Sequence, residues 1–204
     1  MSKDTVKRKA PAAVKAKVAA ACTCDKANVL EKVKISGFGG QGVLLLGQFL
    51  SRAAMELGLN TTWFPNYGPE MRGGTCACNV VMASDEVASP VIPAPDTMIC
   101  FSKPAFDKYG PTVRKGGCLI VNSSIVKDKF SRSDVKVYYV EANKLAQMAG
   151  NPLTTNTVML GVYVKISGLF CIDAVKKMIT AHFKDKPELV LANIGALELG
   201  YAAV

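Results

Sequence analysis

Residues 33–43 read VKISGFGGQGV, and this stretch decides the fold. A short strand at 33–36 runs directly into the glycine pattern Gly37-x-Gly39-x-x-Gly42. The apolar run that follows predicts a helix over 43–57, and Gly58 is the residue type at which helices commonly end. A strand, a glycine turn and a helix in succession begin a βαβ unit, so the segment predicts an α/β fold.

The rest of the chain continues the alternation of strands and helices. Further strands are predicted at 61–64, 75–82, 97–101, 118–122 and 135–140, with the first of them ending at Pro65 and a loop covering 66–74. Helices are predicted at 142–149, 157–170, 173–183 and 188–201. We expect one three-layer α/β/α Rossmann-like domain over residues 29–204, with a mostly parallel or mixed sheet.

The glycine turn is the first candidate binding site. Its backbone N–H groups would face an anion at the positive end of the helix, which makes Gly37, Gly39, Gly40, Gln41 and Gly42 candidate cofactor-binding residues. A dinucleotide site also needs an acidic residue at the end of the second strand, and residues 60–66 hold none. Three interpretations stay open: tight packing without a ligand, contact with an anion or cofactor, and a stand-alone Rossmann-type nucleotide-binding protein.

A second loop, NYGPEMRGGT at 66–75, adds candidates of a different kind. In an α/β sheet it is expected at the same edge as the glycine turn. Tyr67, Glu70, Arg72 and Gly73 are the candidate cofactor-binding residues, since a guanidinium recognises carboxylates and phosphates and glycine permits close approach. An ion pair between Glu70 and Arg72 that merely braces the loop is the alternative. Neither loop contains a base paired with a nucleophile, so we assign no catalytic residue.

Seven cysteines and a single histidine, His182, bear on metal binding and on redox compartment. The number of cysteines is odd, their spacing is irregular, and no C-x-x-C motif occurs. Cys76 and Cys78 lie two residues apart in a predicted strand, so they share one face, where small thiols pack well. We therefore expect buried structural cysteines, no metal site in this chain and a cytoplasmic location.

The formal net charge of +9 is concentrated near the start of the sequence. Residues 1–26 carry seven basic and two acidic residues, in a segment rich in Ala, Lys and Pro. We interpret residues 1–28 as a basic flexible tail without the apolar core of a secretory signal. Since the remainder is only mildly basic and no apolar run reaches the ~18 residues of a membrane span, we expect neither a nucleic-acid nor a membrane partner.

The two loops together resemble a known family. ISGFGGQGV at 35–43 and YGPEMRGGT at 67–75 are similar to motifs of the gamma subunit, or equivalent domain, of 2-oxoacid:ferredoxin oxidoreductases. Supporting similarity lies in SPVI at 89–92, GGCLIVNSS at 116–124 and NTVMLG at 156–161. The resemblance covers about residues 33–201, so the basic tail lies outside it.

The resemblance implies a supporting role within a larger enzyme. Such a complex oxidatively decarboxylates a 2-oxoacid on thiamine diphosphate, passes electrons through iron–sulfur clusters to ferredoxin, and forms an acyl-CoA. It implies partner subunits of the alpha, beta and ferredoxin-like delta types, which hold the thiamine diphosphate and the [4Fe-4S] clusters. A contact between this chain and coenzyme A is consistent with the resemblance. The loop sequence favours a branched-chain 2-oxoacid or 2-oxoglutarate over pyruvate as the substrate.

Overall fold

Six strands form one mixed sheet in the computed structural model of this protein, which describes residues 28–67 and 74–204. Their order across the sheet is β2-β3-β1-β4-β5-β6. The strands are β1 (Leu30–Phe38), β2 (Asn60–Tyr67), β3 (Thr75–Ala83), β4 (Thr97–Cys100), β5 (Cys118–Asn122) and β6 (Lys136–Val140). Strands β1, β4, β5 and β6 run parallel, whereas β3 runs antiparallel to both of its neighbours.

Strand β1 is longer than the sequence predicts because it pairs along its whole length. All nine of its residues are in register with β3, from Leu30 opposite Ala83 to Phe38 opposite Thr75. Val33 and Ile35 are fully buried on one face, and Ser36 is buried on the other. The strand therefore lies at the centre of the sheet, and the glycine turn begins at its carboxyl end.

The prediction that the second strand ends at Pro65 is wrong. Strand β2 continues through Pro65 to Tyr67, and Pro65 lies opposite Cys78 of β3. Because β2 is an edge strand, a residue without an N–H group breaks no inter-strand hydrogen bond on the open side. The predicted loop at 66–74 is correspondingly shorter.

Helices cover both faces of the sheet unequally. They are α1 (Val43–Glu56), α2 (Lys103–Tyr109), α3 (Ala142–Met148), α4 (Thr155–Ser167), α5 (Ile172–His182) and α6 (Pro187–Ala202), with 3₁₀ turns at Gly110–Thr112 and Pro152–Thr154. The main apolar core joins α1, α3, α4, α5 and α6 to one face, and a second core joins α2 to the other. The expected three-layer α/β/α arrangement with a mixed sheet is confirmed.

Helix α4 lies inside the main core rather than on its surface. Nine consecutive residues, 156–164, are buried, so the helix has no polar face that could mark its position in the sequence. The helix spans Thr155–Ser167 instead of the predicted 157–170, because Gly168 adopts a left-handed conformation with φ of 63° and ends it. None of the helices in the described ranges is long and apolar enough to cross a membrane.

Candidate functional site

The described flanks of the second motif lie at the same edge of the sheet as the glycine turn. Strand β2 ends at Tyr67 and β3 begins at Thr75, which lies opposite Phe38 at the end of β1. The Gly39 N–H group donates a hydrogen bond of 3.0 Å to the carbonyl of Gly74. The flanks of the second loop therefore contact the glycine turn directly.

Four predicted site residues fall partly or wholly outside the described residues. Glu70, Arg72 and Gly73 lie in the gap at 68–73, and Tyr67 is described only through its strand pairing. Their assignment to a cofactor site stays a prediction. The structure does describe the residues that flank this loop, at the end of β2 and the start of β3.

Two glycines of the turn are required by the packing of the chain itself. A Cβ atom at Gly37 would lie 2.7 Å from the Phe101 Cβ, closer than side-chain atoms approach. Gly42 has φ of 75°, and a Cβ there would lie 2.6 Å from the Asn156 Cγ of α4. Asn156, which the sequence analysis did not single out, thus packs against the turn from the side of α4.

Gln41 braces the turn from inside. The Phe38 N–H group donates to its Oε1 at 2.7 Å, and its Nε2 donates to the Phe101 carbonyl at 3.5 Å. Gly40, by contrast, has φ of 96° and, among the described residues, no neighbour within 4 Å of the position of a Cβ. The outer surface of the turn at Gly40 is therefore open to an incoming group.

A cavity of about 550 Å³ opens beside the turn. The glycine turn, the first turn of α1 and the end of β2 line it, with Leu44, Leu45, Trp63 and Pro65 as its apolar walls. Gly47 allows α1 to lie this close to the sheet, because a Cβ there would lie 2.8 Å from the indole nitrogen of Trp63. Trp63 is the only tryptophan of the sequence, which is the signal that could have indicated this wall.

The chemistry that this cavity offers is binding rather than proton transfer. Gly42 is the N-cap of α1 without a side-chain hydrogen bond, and the first turn of the helix holds no acidic residue. The N–H groups of the first turn of α1 lie at the positive end of the helix and can therefore bind an anionic group. The lining residues are apolar apart from the thiol of Cys76, whose pKa is raised by burial.

The cysteines of the described residues behave as core side chains. Cys76, Cys78 and Cys100 are buried as free thiols, as predicted, whereas Cys118 and Cys171 are half-buried. Burial raises the pKa of Cys78 to about 12, so it stays protonated at neutral pH. Within residues 28–67 and 74–204, no three His, Cys, Asp or Glu side chains are grouped to hold a metal ion. Cys22 and Cys24 lie outside the described residues.

Comparisons with known proteins agree on one family. A family model described as pyruvate ferredoxin/flavodoxin oxidoreductase matches residues 32–203. The ketoisovalerate oxidoreductase subunit VorA of Methanothermobacter thermautotrophicus is 38% identical over 171 residues, which are 83% of this chain and 35% of that protein. The 2-oxoglutarate synthase subunit KorC of Methanocaldococcus jannaschii is 32% identical, over 73% of this chain and 81% of that subunit.

A solved structure matches over the whole described domain. The gamma subunit of a keto/oxoacid ferredoxin oxidoreductase from Geobacter sulfurreducens has a TM-score of 0.73 and 26% identity, over 85% of this chain and 97% of that one. The chain thus corresponds to a whole subunit in some relatives, although it spans only about a third of the length of VorA. It belongs to the pyruvate ferredoxin/flavodoxin oxidoreductase family.

Proposed function

We propose that this chain is the gamma subunit of a complex that oxidatively decarboxylates a 2-oxoacid. The complex would convert the 2-oxoacid and coenzyme A to an acyl-CoA and carbon dioxide, and pass two electrons to ferredoxin. The observation that carries the proposal is the contact between the glycine turn and the described flank of the second motif, beside a helix N-terminus without a side-chain cap and an apolar cavity.

The site in this chain supports a division of labour among subunits. Its described lining holds no acid–base pair, and the buried cysteines are protonated thiols rather than cluster ligands. We therefore assign thiamine diphosphate and the [4Fe-4S] clusters to partner subunits of the alpha, beta and ferredoxin-like delta types. The free, buried state of these thiols is compatible with a reducing cytoplasm, where we place the complex.

The cavity beside the glycine turn fits part of coenzyme A. This cofactor supplies the thiol that accepts the acyl group, and it joins phosphate groups to a long flexible arm. The uncapped N–H groups at the start of α1 would bind an oxyanion, and the walls formed by Leu44, Leu45 and Trp63 would exclude water from the arm. This chain would then position and shield the cofactor while partner subunits perform the chemistry.

The proposed substrate is a branched-chain 2-oxoacid or 2-oxoglutarate rather than pyruvate. The YGPEMRGGT form of the second loop favours these branches, and the two relatives described above are named for ketoisovalerate and 2-oxoglutarate. The described cavity walls hold no charged side chain that could select among 2-oxoacids, so the choice would rest mainly on the partner subunits.

An exposed apolar surface supports the presence of a partner subunit. Met148 of α3, Leu153 of the adjoining 3₁₀ turn and Leu191 of α6 are 65, 82 and 75% exposed. The elements that carry them contact one another, so we propose that the three side chains contribute to one apolar surface. We propose that it docks the subunit corresponding to the remaining two thirds of VorA, because in that relative the equivalent domain is covalently joined to this additional chain.

Reconstitution tests this function. We expect the purified chain alone to lack 2-oxoacid oxidation, and the complex with its partner subunits to reduce ferredoxin in a reaction that requires coenzyme A. Rates on 2-oxoisovalerate, 2-oxoglutarate and pyruvate then rank the substrates. Robust turnover by the isolated chain would contradict the proposal. Micromolar binding of NAD, NADP or FAD would favour the stand-alone nucleotide-binding alternative.

A further inference from the structure

The face of the sheet opposite α1 carries a second polar region. Lys34 and Ser36 of β1 lie on this face, since the alternate residues Val33 and Ile35 belong to the main core on the other side. Register places Lys34 beside Met98 of β4, which packs in the core beneath α2. On one side of Lys34, helix α2 covers this face of the sheet. On its other side, the face continues over β3 and β2.

Two lysines contact the same tyrosine ring on this side of the sheet. The Nζ of Lys34 lies 4.9 Å from the centre of the Tyr109 ring, and the Nζ of Lys108 lies 5.1 Å from the same point. The two nitrogens are thus no more than about 10 Å apart. Neither forms an ion pair with any acidic side chain of the described residues.

The pKa of Lys34 is consistent with two neighbouring ammonium groups that no acidic side chain of the described residues neutralises. Burial lowers the pKa of the half-buried Lys34 ammonium, and the positive charge of Lys108 lowers it further. Lys103, in contrast, is paired with Asp107. A positive field that the described part of the chain leaves unbalanced favours an anion from outside.

A cavity of about 220 Å³ is lined by Lys108 and Tyr109, and Lys34, which is not among its lining residues, contacts the same Tyr109 ring. Ser36, Asn66, Ala77, Lys108 and Tyr109 contribute to its lining. Its volume is several times the about 30 Å³ that one water molecule occupies in the liquid. Because side chains alternate along β2, Asn66 of this cavity is on the other side of the sheet from Pro65 of the first cavity, whereas Cys76 of β3 contributes to the lining of both.

We propose that this cavity binds a phosphate group between Lys34 and Lys108. A phosphate monoester carries about −1.5 to −2 charges at neutral pH, which matches two ammonium groups. The Asn66 amide supplies a further donor, and the Tyr109 ring forms an apolar wall. The two lysines lie on the face of the sheet opposite α1, and the phosphate test needs no partner subunit, so the proposal holds whether or not the proposed function of the complex is correct.

Phosphate titration of the full-length chain tests the proposal. We expect inorganic phosphate to bind in isothermal titration calorimetry, and Lys34→Met or Lys108→Met to weaken it at least about tenfold, since each removes a charge-assisted contact. Lys165→Met is the matched control, because its Nζ lies 4.9 Å from the Tyr201 ring far from this cavity. Absence of phosphate binding, or an equal loss in Lys165→Met, would overturn the proposal.

A second measurement uses the unmutated chain, so its result does not depend on whether the variants fold. An amine-reactive reagent followed by peptide mass mapping should modify Lys34 readily, and phosphate should protect Lys34 and Lys108 but not Lys165. Equal protection of all three lysines would overturn the proposal. Adenosine 5′-monophosphate serves as a second probe: tighter binding than inorganic phosphate identifies a nucleotide-linked phosphate stacked on Tyr109, and equal affinity identifies the free ion.

Discussion

Helices α4 and α6 cross with their backbones in contact, which makes one substitution especially informative. A Cβ atom at Gly200 of α6 would lie 2.0 Å from the Val158 carbonyl oxygen, and one at Gly161 of α4 would lie 2.1 Å from that of Leu197. Each glycine thus faces the backbone of the other helix. The same α4 brings Asn156 against the glycine turn, so this crossing positions the candidate site.

The cost of Gly200→Ala follows from these distances. Carbon and oxygen atoms in close contacts between helices lie about 3.3 Å apart, so the helices would have to separate by more than about 1 Å. Overpacking of this kind costs about 1–3 kcal/mol or more, and the inflexible backbone at Val158 favours the upper end. The higher helix propensity of alanine returns about 1 kcal/mol. We expect a net loss of about 2 kcal/mol in the free energy of unfolding, and a Tm lower by roughly 4–8 °C.

Gly195→Ala on the same helix is the matched control. A Cβ there meets only the Ala149 Cβ, at an ordinary 3.8 Å, so the helix-propensity gain remains and the Tm should rise by about 2–4 °C. Urea unfolding followed by circular dichroism measures both variants. If Gly200→Ala were as stable as Gly195→Ala, the backbone contact would not limit the helix separation and the argument from packing would fail.

Three further predictions concern the buried acid, the cavity and the docking surface. Burial raises the pKa of Glu31, so the folded chain binds this proton more tightly than the unfolded chain, and stability falls as pH rises above 4.5 through the raised pKa. Glu31→Gln should flatten that slope in urea unfolding measured at successive pH values; an unchanged slope would contradict it. Leu44→Glu should raise the KM for coenzyme A at least about tenfold by repelling its phosphates. Leu44 packs against the main core, so the loss of that packing should lower stability equally in the uncharged control. Leu44→Gln is the uncharged control, and an equal KM for both variants would refute the assignment of the cavity. Leu191→Lys should weaken copurification of the partner subunit at least about tenfold, whereas Val91→Lys, at a residue 63% exposed on a distant loop, should not.

The central part of the fold could be predicted because local signals and packing agree there. VKISGFGGQGV places a β-branched strand, a glycine turn and an apolar helix in an order that suits few other structures. The structure keeps that order, with Gly58 at φ of 81° after α1. Cys76 and Cys78 could likewise be placed on one buried face, because strand alternation is a strictly local property.

Features that depend on distant neighbours could not be predicted in the same way. Pro65 ends a strand by local rules, but the edge position of β2 makes it harmless, and only the sheet order reveals that position. The cavity beside the turn depends on how closely α1 approaches Trp63, which Gly47 permits through a contact 16 residues away in sequence. Lys34 stands in an apolar strand, and nothing local shows that Lys108 lies nearby.

The position of β3 explains why the glycine turn differs from a dinucleotide site. In a Rossmann fold the second strand lies next to the first, so an acid at its end reaches the ribose of a dinucleotide bound at the turn. Here β3 is inserted between β1 and β2, so the end of β2 lies two strand spacings, about 10 Å, from β1. Trp63 and Pro65 of β2 face the cavity beside the turn and make its apolar wall. The turn offers N–H groups to an anion, and the neighbouring wall holds no acid that could accept hydrogen bonds from the ribose next to a dinucleotide's pyrophosphate. This is the physical reason to propose a phosphate-bearing ligand with a flexible arm, such as coenzyme A, rather than a nicotinamide cofactor at this turn.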